Sequence, residues 1–249
     1  MNAVSPQIES SSGGEEAGSP GGVWPGQEGR YGTSGRWLAV VDYGIGNLRS
    51  AEKALQRVGA PARLVSDPGE VLLASGVVLP GVGAFGPCAK ALRQTGMEAA
   101  VRDALAREVP FLGICVGMQL LYEGSEEDTE ARGLGVLEGV VRLLPGRVKR
   151  PQMQWNVLRP VPGAPSSLMA SLGEEPWVYF VHSYAPEMSP DAVATCDYGG
   201  EVVAMAERGP VFGTQFHPEK SGSRGLAFLR AFASSCLAER GDGPGAWSR

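Results

Sequence analysis

Residues 110–124 read PFLGICVGMQLLYEG, an apolar run in which Cys115 has a glycine two residues away on each side. Gly113 to Gly117 form G-x-C-x-G, the spacing of the G-x-S-x-G nucleophile elbow with sulfur in place of oxygen. Phe111, Leu112 and Ile114 read as a short buried strand, and Met118, Leu120 and Leu121 as the start of a helix. Cys115 then sits on the turn between them, where the glycines permit a tight, strained backbone that exposes the nucleophile. The helix N-terminus behind it favours negative charge and therefore the thiolate. The Val116 N–H would face a developing oxyanion. A buried structural cysteine is the competing reading.

A nucleophilic cysteine needs a base, and the chain has two histidines, His182 and His217. The segment GTQFHPEKSG favours His217. Pro218 biases the residue before it towards extended backbone. In an extended segment side chains two apart share a face, which predicts Glu219 beside the His217 ring, fixing its tautomer. His182 lies in a strand-like run without such a neighbour and reads as structural or as a substrate contact. The run LPGVGAFG (79–86) follows another strand. A phosphate loop would need Lys after its last glycine, but Pro87 follows Gly86. In DYGIGNLRS the third dinucleotide-binding position is Arg49 rather than Gly. The amide of Val82 or Gly83 is therefore read as the second half of an oxyanion hole.

These residues need a scaffold, and the hydrophobic pattern supplies one. WLAVVD (37–42), GVVLPG (76–81) and PFLGI read as buried strands. Leu48, Ala51, Leu55 and Val58 lie at helical spacing, as do Met97, Val101, Ala104 and Leu105. Alternating buried strands and helices predict an α/β fold, a mainly parallel central sheet with helices on both faces. In the second half, GVVRLLPG and QWNVLRP read as antiparallel edge strands, and WVYFVHSY and VFGTQF as further strands. Leu226, Leu229, Phe232 and Ala233 mark a closing helix.

Gly, Ser and Pro supply 9, 6 and 3 of residues 1–36, too polar a mix to offset ordering entropy by burial. This predicts a disordered N-terminal extension over 1–36, or a misassigned start, with a folded domain over 37–238 and a loose tail over 239–249. The formal charge is −5 with no basic cluster, so no nucleic-acid partner is expected. No apolar run of about 18 residues predicts a membrane span, and no secretory signal is read. The four cysteines, Cys88, Cys115, Cys196 and Cys236, form no C-x-x-C pair, so no metal site or cofactor is expected and a reducing cytoplasm fits.

Together DYGIGNLRS, LPGVGAFG, PFLGICVGMQLL, PQMQWN, FVHSY and GTQFHPEKSG resemble the class I glutamine amidotransferases. DYGIGNLRS and GTQFHPEKSG resemble the branch of glutaminase subunits of imidazole glycerol phosphate synthase, in histidine biosynthesis. The resemblance implies a flavodoxin-like class I glutaminase fold and a Cys115–His217–Glu219 triad that forms a glutamyl thioester. It implies glutamine contacts at Gly83, Gln119 and Glu127, with the His182–Ser183 backbone nearby. It also implies a heterodimer with a (β/α)8 synthase that receives the ammonia, with Asn47 and Trp155 towards that partner. A core position is the other reading of Trp155.

The chain departs from the family pattern at Gln154, where glycine usually precedes the tryptophan, and at Ala185, where a second aromatic is frequent. Other class I glutaminases, of the pyridoxal phosphate or anthranilate type, remain open; the anthranilate type favours His where Met118 stands. So do a free γ-glutamyl hydrolase and a non-catalytic binding subunit of the same fold.

Overall fold

A computed structural model describes residues 35–238. The expected extension, except its last two residues, and the expected tail lie outside the described residues. Arg36, assigned to the extension, donates from Nη2 to the Cys236 carbonyl at 3.1 Å.

The first half runs β1 (Leu38–Val41), α1 (Leu48–Arg57), β2 (Ala62–Val65), α2 (Pro68–Val71), β3 (Gly76–Gly81), α3 (Phe85–Gln94), α4 (Met97–Ala106), β4 (Phe111–Cys115) and α5 (Val116–Gln119). The second half begins with β5 (Gly124–Ser125), β6 (Asp128–Arg132), β7 (Val140–Leu143), β8 (Gln152–Val157), β9 (Arg159–Pro160) and α6 (Ser167–Ser171). It continues with β10 (Trp177–His182), β11 (Tyr184–Pro186), β12 (Ala192–Asp197), β13 (Glu201–Arg208) and β14 (Val211–Thr214). A 3-10 turn (Pro218–Lys220) then leads into α7 (Gly222–Leu237).

The main sheet has the order β2-β1-β3-β4-β14-β13-β12-β9. Its first five strands are parallel, and β13, β12 and β9 extend it antiparallel. Every residue of β1, β3, β4 and β14 is buried, without alternation. Such strands are covered on both faces. Helices α1, α6 and α7 pack as one group, and α2, α3 and α4 as another. Among the described residues no helix is long and apolar enough to cross a membrane.

Two smaller sheets cap the second half. β8 pairs antiparallel with β10, and β11-β7-β5-β6 form the other. Sequence reading made GVVRLLPG an antiparallel edge strand. Its β7 is instead interior, antiparallel to β11 and parallel to β5. The helix after Cys115 is also shorter than the Leu120–Leu121 pattern implied, a single turn ending at Gln119.

That turn packs closely on β3. A Cβ on Gly117 would collide with the Leu79 carbonyl oxygen, and one on Gly81 would lie 2.6 Å from the Gly117 nitrogen. Gly117→Ala should therefore destabilise the fold by about 1–3 kcal/mol, as overpacking does. Gly124→Ala, whose Cβ would meet nothing nearer than the Ala131 carbonyl at 3.5 Å, should cost far less. Urea midpoints of the two variants test this; equal midpoints would refute it.

Candidate active site

The parallel strands end at one edge of the sheet, where ligand sites of open α/β folds form. β4 delivers Cys115 there with φ 56° and ψ −113°. Neither Gly113 nor Gly117 has positive φ, so the cysteine itself takes the unusual backbone. This corrects the sequence argument. The glycines serve close approach, because a Cβ on Gly113 would lie 2.6 Å from the Gly117 carbonyl oxygen. Such a conformation costs about 1–3 kcal/mol and persists where packing enforces it.

His217 follows β14, which lies beside β4 with Thr214 opposite Ile114. Phe216 anchors this stretch, packing edge-on against Phe180 and Phe228. Backbone alternation then turns Gln215 and His217 away from that aromatic cluster. The His217 N–H donates to the Tyr179 carbonyl at 3.0 Å, and its carbonyl accepts from Ser221 Oγ at 2.6 Å. His217 Nδ1 lies 2.8 Å from Glu219 Oε1, both side chains buried. The path differs from the expected extended segment. His217 is extended, but Pro218 opens a 3-10 turn that swings Glu219 back onto the ring. With Nδ1–H donating to the carboxylate, Nε2 is left without a hydrogen-bond partner and borders the same cavity as Cys115.

Burial opposes charge on the His217 ring, but its interactions with the nearby Cys115 and with Glu219 outweigh it and lift the ring to about 9. His182 behaves oppositely. Burial, offset in part by its bond to Tyr184 and reinforced by His217, lowers it to about 4. Its Nδ1 donates to the Tyr184 carbonyl at 2.8 Å, and Nε2 is buried and unpartnered.

Val82, Gly83, Cys115, Val116, Gln119, Glu127, His182, Ser183 and His217 surround one cavity of about 360 Å³. Gly83 has φ +89°, and Val116 opens α5, where first-turn amides have no intrahelical acceptor. Glu127 Oε2 accepts from the Phe85 amide at 2.8 Å, which ties it to the start of α3. Asn47 and Trp155 lie outside this lining. Asn47 is exposed at the start of α1, where its Oδ1 accepts from Ser50 Oγ at 2.8 Å. Trp155 is 46% exposed, its ring edge-on to Tyr179, so the core reading of it fails. Gln154 is exposed on β8, and Ala185 is buried in β11.

Residues 39–235 match the family model described as glutamine amidotransferase class-I. The chain belongs to that family. It is 47% identical over 200 residues to the imidazole glycerol phosphate synthase subunit HisH of Moorella thermoacetica, covering 79% of this chain and 94% of that one. The protein of the same name from Geobacillus kaustophilus is 44% identical over 214 residues, covering 83% and 100%. Among solved structures, PurLQS from Thermotoga maritima superposes with a TM-score of 0.63 at 21% identity, over 82% of this chain and 100% of that one. A glutamine amidotransferase crystal structure gives 0.60 at 23%, over 79% and 98%. At such identities these structures speak for the fold alone.

Five cavity neighbours are not among the residues that the sequence singles out. Pro151, Val181, Tyr184 and Lys220 border the cavity, and Gln215 lies against the cysteine sulfur. Gln215 carried a usable signal, a polar residue two positions before His217 at the end of a strand beside β4.

The ring values predict a clean titration, since the chain has only two histidines. His217 is raised above its ordinary 6.5, so its stabilising contribution is complete below pH 6.5 and is lost as pH rises through about 9. Ring NMR signals should show one midpoint near 9 and one near 4. Glu219→Gln should lower the upper midpoint and leave the lower one in place. Two midpoints near 6.5 would refute the assignment.

Proposed function

We propose that this chain hydrolyses the side-chain amide of glutamine and delivers the ammonia to a synthase subunit. The supporting observation is the His217–Glu219 pair, which leaves His217 Nε2 open to the cavity that Cys115 borders. Cys115 Sγ, its proton transferred to His217 Nε2, forms a bond to the amide carbon. The carbonyl electron pair moves onto oxygen, which amides of Val116 and of Val82 or Gly83 would receive. Collapse breaks the C–N bond, and the leaving nitrogen takes the proton from His217 and departs as ammonia. Water then attacks the glutamyl thioester, His217 accepting its proton. Expulsion of the thiolate gives glutamate and restores the enzyme. The sum is glutamine plus water to glutamate plus ammonia, and no cofactor is called for.

Gly83, Gln119, Glu127 and the His182–Ser183 backbone are the proposed glutamine contacts. The relatives bear the name of synthase subunits, which supports a heterodimer. The partner we assign is a (β/α)8 cyclase that forms imidazole glycerol phosphate and an aminoimidazole carboxamide ribonucleotide in histidine biosynthesis, in the cytoplasm. Residues 37–238 form the catalytic domain in this reading. Ammonia at pH 7 is mostly protonated and a poor nucleophile, which favours a producing site that abuts the consuming one. The exposed faces of Trp155 and Asn47 are the proposed contacts.

Cys115→Ala and His217→Ala should each lower glutamine turnover more than about a thousandfold, as loss of a nucleophile or its base does elsewhere. A glutamine-analogue electrophile should label Cys115 alone; labelling at Cys88, Cys196 or Cys236, or a more damaging His182→Ala, would refute the triad. For the partner, glutaminase rate is followed as synthase is added. Trp155→Ala should weaken stimulation with little change in melting temperature. An unchanged stimulation curve would sink the interface.

A further inference from the structure

Cys115 Sγ has two polar neighbours besides the triad. Gln215 Nε2 lies 3.7 Å away, and the Val181 carbonyl oxygen lies 3.9 Å away. Gln215 is fully buried, and its Oε1 accepts from Gln119 Nε2 at 3.0 Å. Gln119 Nε2 also donates to the Tyr184 carbonyl at 3.0 Å.

The orientation of both amides follows from donor and acceptor counting. A backbone carbonyl only accepts, so the Gln119 atom facing Tyr184 must be its NH₂. Both hydrogens of that NH₂ are then used, one on Tyr184 and one on Gln215. The Gln215 atom facing Gln119 must therefore be its oxygen, since NH₂ against NH₂ leaves no acceptor. This leaves the Gln215 NH₂ aimed at the sulfur.

We infer that Gln215, locked by Gln119, is a catalytic hydrogen-bond donor to the Cys115 thiolate. The inference rests on the reading of Cys115 as nucleophile and adds a residue to it. The thiol hydrogen has the Val181 carbonyl as its acceptor, and that contact lapses on ionisation. The Gln215 donor persists and becomes charge-assisted, which shifts the balance towards the anion. A neutral amide also adds no charge that would compete with His217 for the proton.

Other titratable groups surround this cysteine. His217, held by Glu219 from the turn after β14, Cys88 from α3 and Tyr43 after β1 interact with it, and His182 from β10, Lys220 and Glu127 between β5 and β6 line the same cavity. All remain in the variants that test the idea.

The test is alkylation of Cys115 by iodoacetamide, a neutral reagent that needs no glutamine, followed by peptide mapping across pH. Gln215→Met keeps the length and removes the donor. The pH of half-maximal rate should rise by about one unit, the shift expected for one hydrogen bond. Turnover number should fall about tenfold, with KM changed less than about twofold. Gln119→Met leaves Gln215 present but unlocked and should give a smaller shift in the same direction. It also carries the test if Gln215→Met does not fold. An unchanged alkylation profile in a folded variant, with only a lower melting temperature, would overturn the inference and leave Gln215 a packing residue. Failure of the wild-type chain to alkylate at Cys115 would instead overturn the nucleophile assignment.

Discussion

The site depends on an approach too close for a side chain. Gly117 sits where any Cβ would strike the Leu79 carbonyl oxygen, and Gly81 and Gly113 are similarly confined. These three contacts bring the start of α5 down onto the ends of β3 and β4. With the helix held there, Cys115 has no relaxed way to join strand to helix, and it takes φ 56°. The strain is local, but its support is spread through fully buried strands. Packing of that density resists relaxation, so the sulfur stays where the helix and the neighbouring strand set it.

The polar groups of the cavity are fixed by a different device. The Tyr184 carbonyl accepts from both His182 and Gln119 and so uses both of its lone pairs. One backbone oxygen thereby decides a histidine tautomer and the direction of two amides. His182, held neutral by burial, presents an unprotonated nitrogen, whereas His217, paired with Glu219, holds its proton to about 9. Two histidines in one cavity thus have opposite proton affinities, set by the group each ring contacts.

The β8–β10 ribbon joins this cavity to the exterior. β10 contributes Val181 and His182 to the lining, while its partner β8 carries exposed Met153 and Trp155. Among the described residues the ribbon pairs with no third strand, and two-stranded sheets have little stability of their own. Its position comes from neighbours, Phe180 against Phe216 and the Tyr179 amide on Ser221 Oγ. A wall held by side contacts is easier to displace than the interior strand that carries Cys115.

How much of this was legible in the sequence depends on how each feature is encoded. GVVLPG appears as β3 at the expected residues, because a run of large apolar side chains signals a buried strand directly. The β12–β13 pair was missed because Ala192, Ala194, Ala204 and Ala206 supply half-sized, weakly β-forming signals. The α3 helix was hidden by Gly86 and Pro87, which read as loop chemistry although proline is tolerated in a first turn. The elbow is visible as spacing, but spacing does not tell whether its glycines supply conformational freedom or small size, and the structure uses their small size. His217 and Glu219 were paired on a periodicity of two, while the contact runs through a 3-10 turn. Periodicity describes a regular element, and this pair lies where β14 has ended and α7 has not begun. At such a junction residue type and proximity survive as sequence signals and backbone path does not. The role of Gln215 is hidden for a different reason, because its partners lie 100 residues away at Cys115 and 96 at Gln119.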